Sequence, residues 1–197
     1  MKHPMKEQYN REKSIAFTGT SGLCAYFSGY RTDFLRIADV MRLKDYDEYP
    51  WEVFINHGHR DYDQSEVLYK MATAWADEPD KIIINISSRA AFPNLTQDHM
   101  YGAQKASLDH LANNLTYNST VKCRITTLNL GMIIGYSDTD DGFNKNGIPG
   151  CTWEDVGDMI HTIMSLPSHI EIPQMTMQHR HPYKLVQEIK ENIKCNQ

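Results

Sequence analysis

The sequence predicts an α/β three-layer sandwich, a mostly parallel sheet of five or six strands with helices on both faces. The run Ile82, Ile83, Ile84 and Ile86, broken only by Asn85, has the near-continuous branched apolar character of a strand buried on both sides. Such strands belong to parallel sheets covered by helices. Short apolar strands alternate with segments of helical spacing along the chain, the pattern of repeated strand-helix-strand units. A glycine turn, Gly19 to Ala25, follows the first of those strands directly. With 197 residues and 41% hydrophobic content the chain can bury one full core, and domains of about 100–200 residues are the norm. A single domain, 14–197, behind a short tail, 1–13, is expected.

In chain order, "SIAFT" (Ser14–Thr18) reads as a buried strand that runs into "GTSGLCA", where a helix begins. "RTDFLRIADV" follows. Val53–Ile55 is a second short strand and ends in Asn56-His57-Gly58. "QSEVLYKMATAW" places Val67, Leu68, Met71, Ala72 and Trp75 at helical spacing. The Ile82–Ile86 strand, central in the sheet, ends in Ser87 and Ser88, and a helix opens at Tyr101. Cys123–Leu128 is the next strand, and Tyr136–Gly150 is a polar loop long enough to carry function. "TWEDVGDMIHTIMSL" is a helix with Thr152 as N-cap and Asp155 placed for a capping box. "SHIEIPQMTMQ" holds a last strand, and Leu185, Ile189 and Ile193 mark one face of a terminal helix.

A net charge of -5 and a pI near 6.0 give no basic footprint for a polyanion, so the expected partner is a small molecule and not nucleic acid. The N-terminus "MKHPMKEQYNREK" is charged, and no segment approaches the roughly 18 apolar residues of a membrane span. No membrane association and a cytoplasmic location are expected. Cysteines 24, 123, 151 and 195 form no C-x-x-C pair and are read as free thiols. His57-x-His59 and His179-x-His181 have no carboxylate or cysteine at ligand spacing, so no metal is expected.

Gly19-Thr20-Ser21-Gly22-Leu23-Cys24-Ala25 fits G-x-x-G-x-x-A after a strand, where bare backbone lets a pyrophosphate approach. Tyr101 and Lys105 are i and i+4 and share a helix face. A free tyrosine ionises at about 10, and a neighbouring ammonium favours tyrosinate, which makes a phenol a workable proton donor and acceptor. Ser88 precedes Tyr101 by thirteen positions at the end of the Ile strand. A strand-end loop can bring its hydroxyl beside the phenol.

Taken in order, the strand with G-x-x-G-x-x-A, the strand ending in N-x-G, and "INISS" with Ser-x12-Tyr-x3-Lys resemble the short-chain dehydrogenase/reductase superfamily over roughly Ser14 to Gln178. The resemblance implies a Rossmann-like fold with NAD or NADP as redox carrier. It implies Tyr101 as catalytic acid/base, Lys105 holding the nicotinamide ribose and easing ionisation of the phenol, and Ser88 orienting the substrate oxygen. Gly19, Ser21, Gly22 and Leu23 would lie along the pyrophosphate, Asn56 and Gly58 along the adenosine and ribose, and Gly131 and Ile133 beside the cofactor after the following strand.

Departures accompany the match. The family's N-A-G is Asn56-His57-Gly58 here, its P-G is Leu130-Gly131, and Gly135 stands where a threonine is common. The helix Gln64–Trp75 has no asparagine to match the family's fourth catalytic residue. Asp39 fits two places: twenty residues after Gly19 it suits the acid that ends the second strand and binds the ribose, and seventeen before Asn56 it suits the aspartate after the third. A chain with one fewer strand-helix unit at the adenine edge reconciles the counts. Phe34, Leu35, Ala38 and Met41 also fit helical spacing, and a helix there would take Asp39 away from the cofactor. An acid at Asp39 disfavours the 2′-phosphate of NADP, whereas Arg36 or Arg42 would bind it; the balance is set slightly toward NAD.

The expected activity is reduction of a carbonyl or oxidation of an alcohol on a small molecule, with Tyr136–Gly150 as substrate lid. A non-catalytic cofactor-binding module is the alternative. A nucleotide-sugar epimerase or dehydratase shares the G-x-x-G-x-x-A turn, but 197 residues leave no room for its substrate domain. A homo-oligomer is expected through the Tyr101 helix, using Ala106, Leu108, Leu111 and Leu115.

Overall fold

The structure, a computed structural model, describes residues 13–19, 22–42, 51–93, 98–118, 120–135, 142–144 and 149–180. Ser21, most of the Tyr136–Gly150 loop, His181, Cys195, the tail before Lys13 and the Leu185, Ile189, Ile193 stripe lie outside the described residues.

The elements are β1 (Ser14–Thr18), α1 (Gly22–Tyr26), β2 (Arg31–Leu35), α2 (Ile37–Arg42), β3 (Val53–Asn56), α3 (Asp63–Ala74) and β4 (Ile82–Ser88). A 3₁₀ turn (Arg89–Ala91) follows, then α4 (His99–Thr116), β5 (Arg124–Leu130), β6 (Ile133–Gly135), β7 (Cys151–Thr152), α5 (Trp153–Ser165) and β8 (Gln174–Met177). Six strands form one sheet in the order β2-β1-β3-β4-β5-β8, and every pair in it is parallel. β6 and β7 pair separately.

Strand alternation sorts the apolar side chains to the two faces. Ile15, Phe17, Ile55, Ile82, Ile84 and Ile86 pack with Leu23 and Phe27 near α1 and with Val156 and Ile160 of α5. Ala16, Phe54, Ile83 and Ile125 face the other way, onto Val67, Leu68 and Met71 of α3 and Leu108 and Ala112 of α4. β4 is interior, as its composition predicts, whereas the edge strands β2 and β8 stay partly exposed. Thr152 caps α5 and Asp155 completes the reciprocal capping box, the arrangement its sequence signature describes.

Two expectations need correction. "RTDFLRIADV" divides, with Arg31–Leu35 as a strand and Ile37–Arg42 as a helix. Asp39 therefore lies exposed in the first turn of α2, and the residue that follows the strand is Arg36. One strand and one short helix separate β1 from β3. On α4, Leu108 and Leu115 are buried in the chain's own core, so they give a partner no surface; a helix packed on a sheet turns its main apolar stripe inward.

Candidate active site

Asn85, the polar break in the isoleucine run, belongs to a belt that crosses the sheet from the ends of β1 and β3 to the middles of β4 and β5. Thr18 Oγ1 donates to Asn56 Oδ1 (3.4 Å), Asn56 Nδ2 to Asn85 Oδ1 (3.0 Å), and Asn85 Nδ2 to Thr127 Oγ1 (3.4 Å). Parallel register brings Asn56, Asn85 and Thr127 side by side. Buried amides need such partners. Asn56 is fully buried and also donates to the backbone oxygen of Gln64 (2.8 Å). Its side chain is thus a strut of the sheet.

Lys105 lies over this belt. It shares the buried face of α4 with Leu108, Ala112 and Leu115, and its Nζ donates to Gln64 Oε1 (2.8 Å) and to the Ile86 carbonyl (3.0 Å). Burial pulls its pKa down from the ordinary lysine value to about 8, opposed by the charge of Asp109 one turn along the helix. Asp109 in turn is pushed up by its own burial, and its carboxylate accepts from Asn129 and Gln174.

Gln64, on the helix that has no asparagine, is the side chain that holds the ammonium. Its Nε2 donates to the carbonyls of Asn56 (2.6 Å) and Ile86 (3.0 Å). Carbonyls only accept, so the amide orientation is fixed and its oxygen must face the ammonium. The sequence did carry a signal: Gln64 stands on the apolar stripe of Val67, Leu68 and Met71, where a polar residue is buried by position.

Tyr101 and Lys105 come together as their spacing predicts, with Lys105 Nζ 5.7 Å from the centroid of the phenol ring. Tyr101 is half-buried, and the His59 ring meets it edge-on at 5.0 Å. Ser88 ends β4 two residues beyond the carbonyl that holds Lys105, and its Oγ accepts from Ala90 N–H (3.1 Å) as cap of the 3₁₀ turn. That contact does not use the hydroxyl proton. The turn packs against α4.

Beside this cluster the glycines bring the ends of β1 and β3 together. Gly19 has φ +80°, and a Cβ there would lie 3.0 Å from Gly58 Cα, so the end of β1 and the end of β3 meet as bare backbone. Thr18 Oγ1 accepts from the backbone N–H groups of His57 (2.9 Å) and Gly58 (3.0 Å) and fixes this approach. Leu23 is fully buried in the core beneath the turn. Gly131 is tied to β8 through its N–H and the Met177 carbonyl (2.8 Å), and Ile133 packs against the core. The indole of Trp153, a residue the sequence did not single out, stands against Gly22 and edge-on to His57 at 5.7 Å.

No protein-family model matches this chain, and no curated protein matches it. Solved structures do. Serine dehydrogenase from Escherichia coli is 17% identical, with a TM-score of 0.58 over 85% of this chain and 86% of that one. An alcohol dehydrogenase from the archaeon Thermococcus sibiricus, complexed with 5-hydroxy-NADP, is 9% identical with a TM-score of 0.63 over 87% and 98%. A short-chain dehydrogenase/reductase from Vibrio parahaemolyticus is 14% identical with a TM-score of 0.61 over 85% and 100%. The chain has the short-chain dehydrogenase/reductase fold. Gly19 and Gly58 form a floor of bare backbone where the ends of β1 and β3 meet. The side chain standing over that floor is Trp153.

Proposed function

We propose that the chain is an oxidoreductase that uses a nicotinamide dinucleotide to interconvert a carbonyl and an alcohol on a small molecule. The observation that carries this reading is the pair Tyr101 and Lys105, with the ammonium buried, fixed by two acceptors and turned toward the phenol at the end of the strand that closes with Ser88. A lysine buried this deep carries a desolvation cost that its two acceptors offset only in part, which marks it as a functional-site candidate.

Gly19, Gly22 and Gly58 would hold the dinucleotide backbone, with Lys105 near the nicotinamide ribose. Bound there, the nicotinamide supplies the two-electron chemistry. Tyr101 would give a proton to the substrate oxygen during reduction, or take one during oxidation, while the Ser88 hydroxyl donates a hydrogen bond to the same oxygen. Asp39 no longer supports a preference for NAD; Arg36, directly after β2, favours the 2′-phosphate of NADP.

A second reading, a cofactor-binding module without turnover, is favoured by the His57 and Trp153 rings in the cleft. Fluorescence titration with NADH and NADPH tests both readings, because failure to bind either removes both. A homo-oligomer remains part of the proposal, now with exposed Tyr69 and Met100 of α3 and α4 as the apolar surface; a monomeric mass at micromolar concentration would refute it.

A further inference from the structure

We infer that Trp153 is a plug in the cofactor cleft: its indole fills the space a dinucleotide pyrophosphate would take beside Gly22, and binding requires that ring to rotate out. The inference rests on the nucleotide-binding reading above and adds a residue that neither the motifs nor the fold assign.

In a turn of this type the second glycine is bare so that the pyrophosphate can come close. A Cβ added to Gly22 would run into Trp153 Cδ1 and lie 2.8 Å from its Nε1. The approach that glycine opens is therefore taken by the indole. The same ring contacts His57 edge-on, and His57 follows the strand β3 that forms the other wall. One side chain thus touches both walls. Among the described residues His57 Nδ1 is buried without a hydrogen-bond partner, 3.6 Å from where a Cβ on Gly19 would stand. An orphaned polar atom in a cleft closed by an apolar ring is a cost that a polar occupant of the cleft could relieve.

The backbone carrying Trp153 is fixed. Tyr26 of α1 lies over Gly157 and its hydroxyl donates to Asp158, His161 is boxed by Phe27, Tyr26 and Tyr30, and Thr152 with Asp155 pins the first turn of α5. Opening is accordingly a rotation of the Trp153 side chain and not a swing of α5. Trp153 is half-buried and packs against the core at the start of α5.

The test is a titration of NADPH and NADH into the wild type, Trp153→Ala and Trp153→Phe. An affinity measured against a mostly closed state is reduced by the open fraction, so a plug open in about one molecule in ten makes Trp153→Ala bind about tenfold tighter. Trp153→Phe should fall between. Binding by Trp153→Ala with a silent wild type is the strongest supporting outcome. Equal affinity in all three proteins overturns the plug and leaves the nucleotide reading standing, whereas binding by none removes both. If Trp153→Ala does not fold, the wild type decides: Trp51 and Trp75 are buried at 3% and 0% exposure, so saturating NADP⁺ should raise acrylamide quenching through Trp153. Unchanged or reduced quenching in a protein that binds NADP⁺ refutes the displacement.

Discussion

Lys105 donates to Gln64 Oε1 at 2.8 Å, and the same carboxamide donates to the carbonyls of Asn56 and Ile86. One side chain on α3 thus ties the ends of β3 and β4 to the ammonium on α4. Gln64→Leu should strip the amine of an acceptor and the Asn56 carbonyl of this donor, while the Ile86 carbonyl keeps its bond from Lys105, destabilising the protein by about 2 kcal/mol or more. The double variant Gln64→Leu, Lys105→Met, which removes the charge as well, should recover part of that loss. Urea denaturation measures both, and a cost below about 1 kcal/mol for Gln64→Leu would show that the contact is not made in solution.

Tyr101→Phe removes the transferable proton and keeps the ring over Lys105. Turnover on any substrate found should fall by about 10²-fold or more, with cofactor affinity nearly unchanged. Lys105→Met should weaken both. Steady-state kinetics beside a cofactor titration separates the two effects, and undiminished activity in Tyr101→Phe would remove the phenol from the chemistry.

Arg36 follows β2 directly and is exposed, whereas Asp39 sits on α2. Arg36→Glu should weaken NADPH relative to NADH by about tenfold, the scale of one charge-assisted contact of about 1.4 kcal/mol or more. Asp39→Asn should leave the ratio alone. The opposite pattern would return Asp39 to the adenosine site.

Burial pulls His57 down to about 4, with the Lys105 charge acting in the same direction, and burial pulls His161 to about 4 as well. Both histidines are neutral in the folded protein below the pH at which the unfolded chain, at about 6.5, takes up its protons. Between these values the unfolded state binds more protons, so stability is full above about pH 6.5 and declines as pH falls toward 4. Thermal melting across pH 4 to 7 should show this decline, and His57→Gln should flatten it. A melting temperature independent of pH in that window would contradict the neutral buried state.

The sequence by itself determined the parallel sheet, the helical i, i+4 placement of Tyr101 and Lys105, and the Thr152 and Asp155 capping box. Each is written in near neighbours: a run of branched apolar residues, a helical spacing, a side chain reaching back to its own backbone. Tertiary structure decided how deep Lys105 lies and what holds it, since Gln64 is 41 residues away and meets it only because β3 and β4 pair in register. It likewise turned Asn56 into the sheet, where parallel register sets it beside Asn85, and put Asp39 on a helix once β2 closed at Leu35 against β1. Trp153 shows the limit most plainly. Nothing around a tryptophan at the start of α5 tells that its ring stands on Gly22, because that contact exists only where α1 and α5 pack on the same face of the sheet.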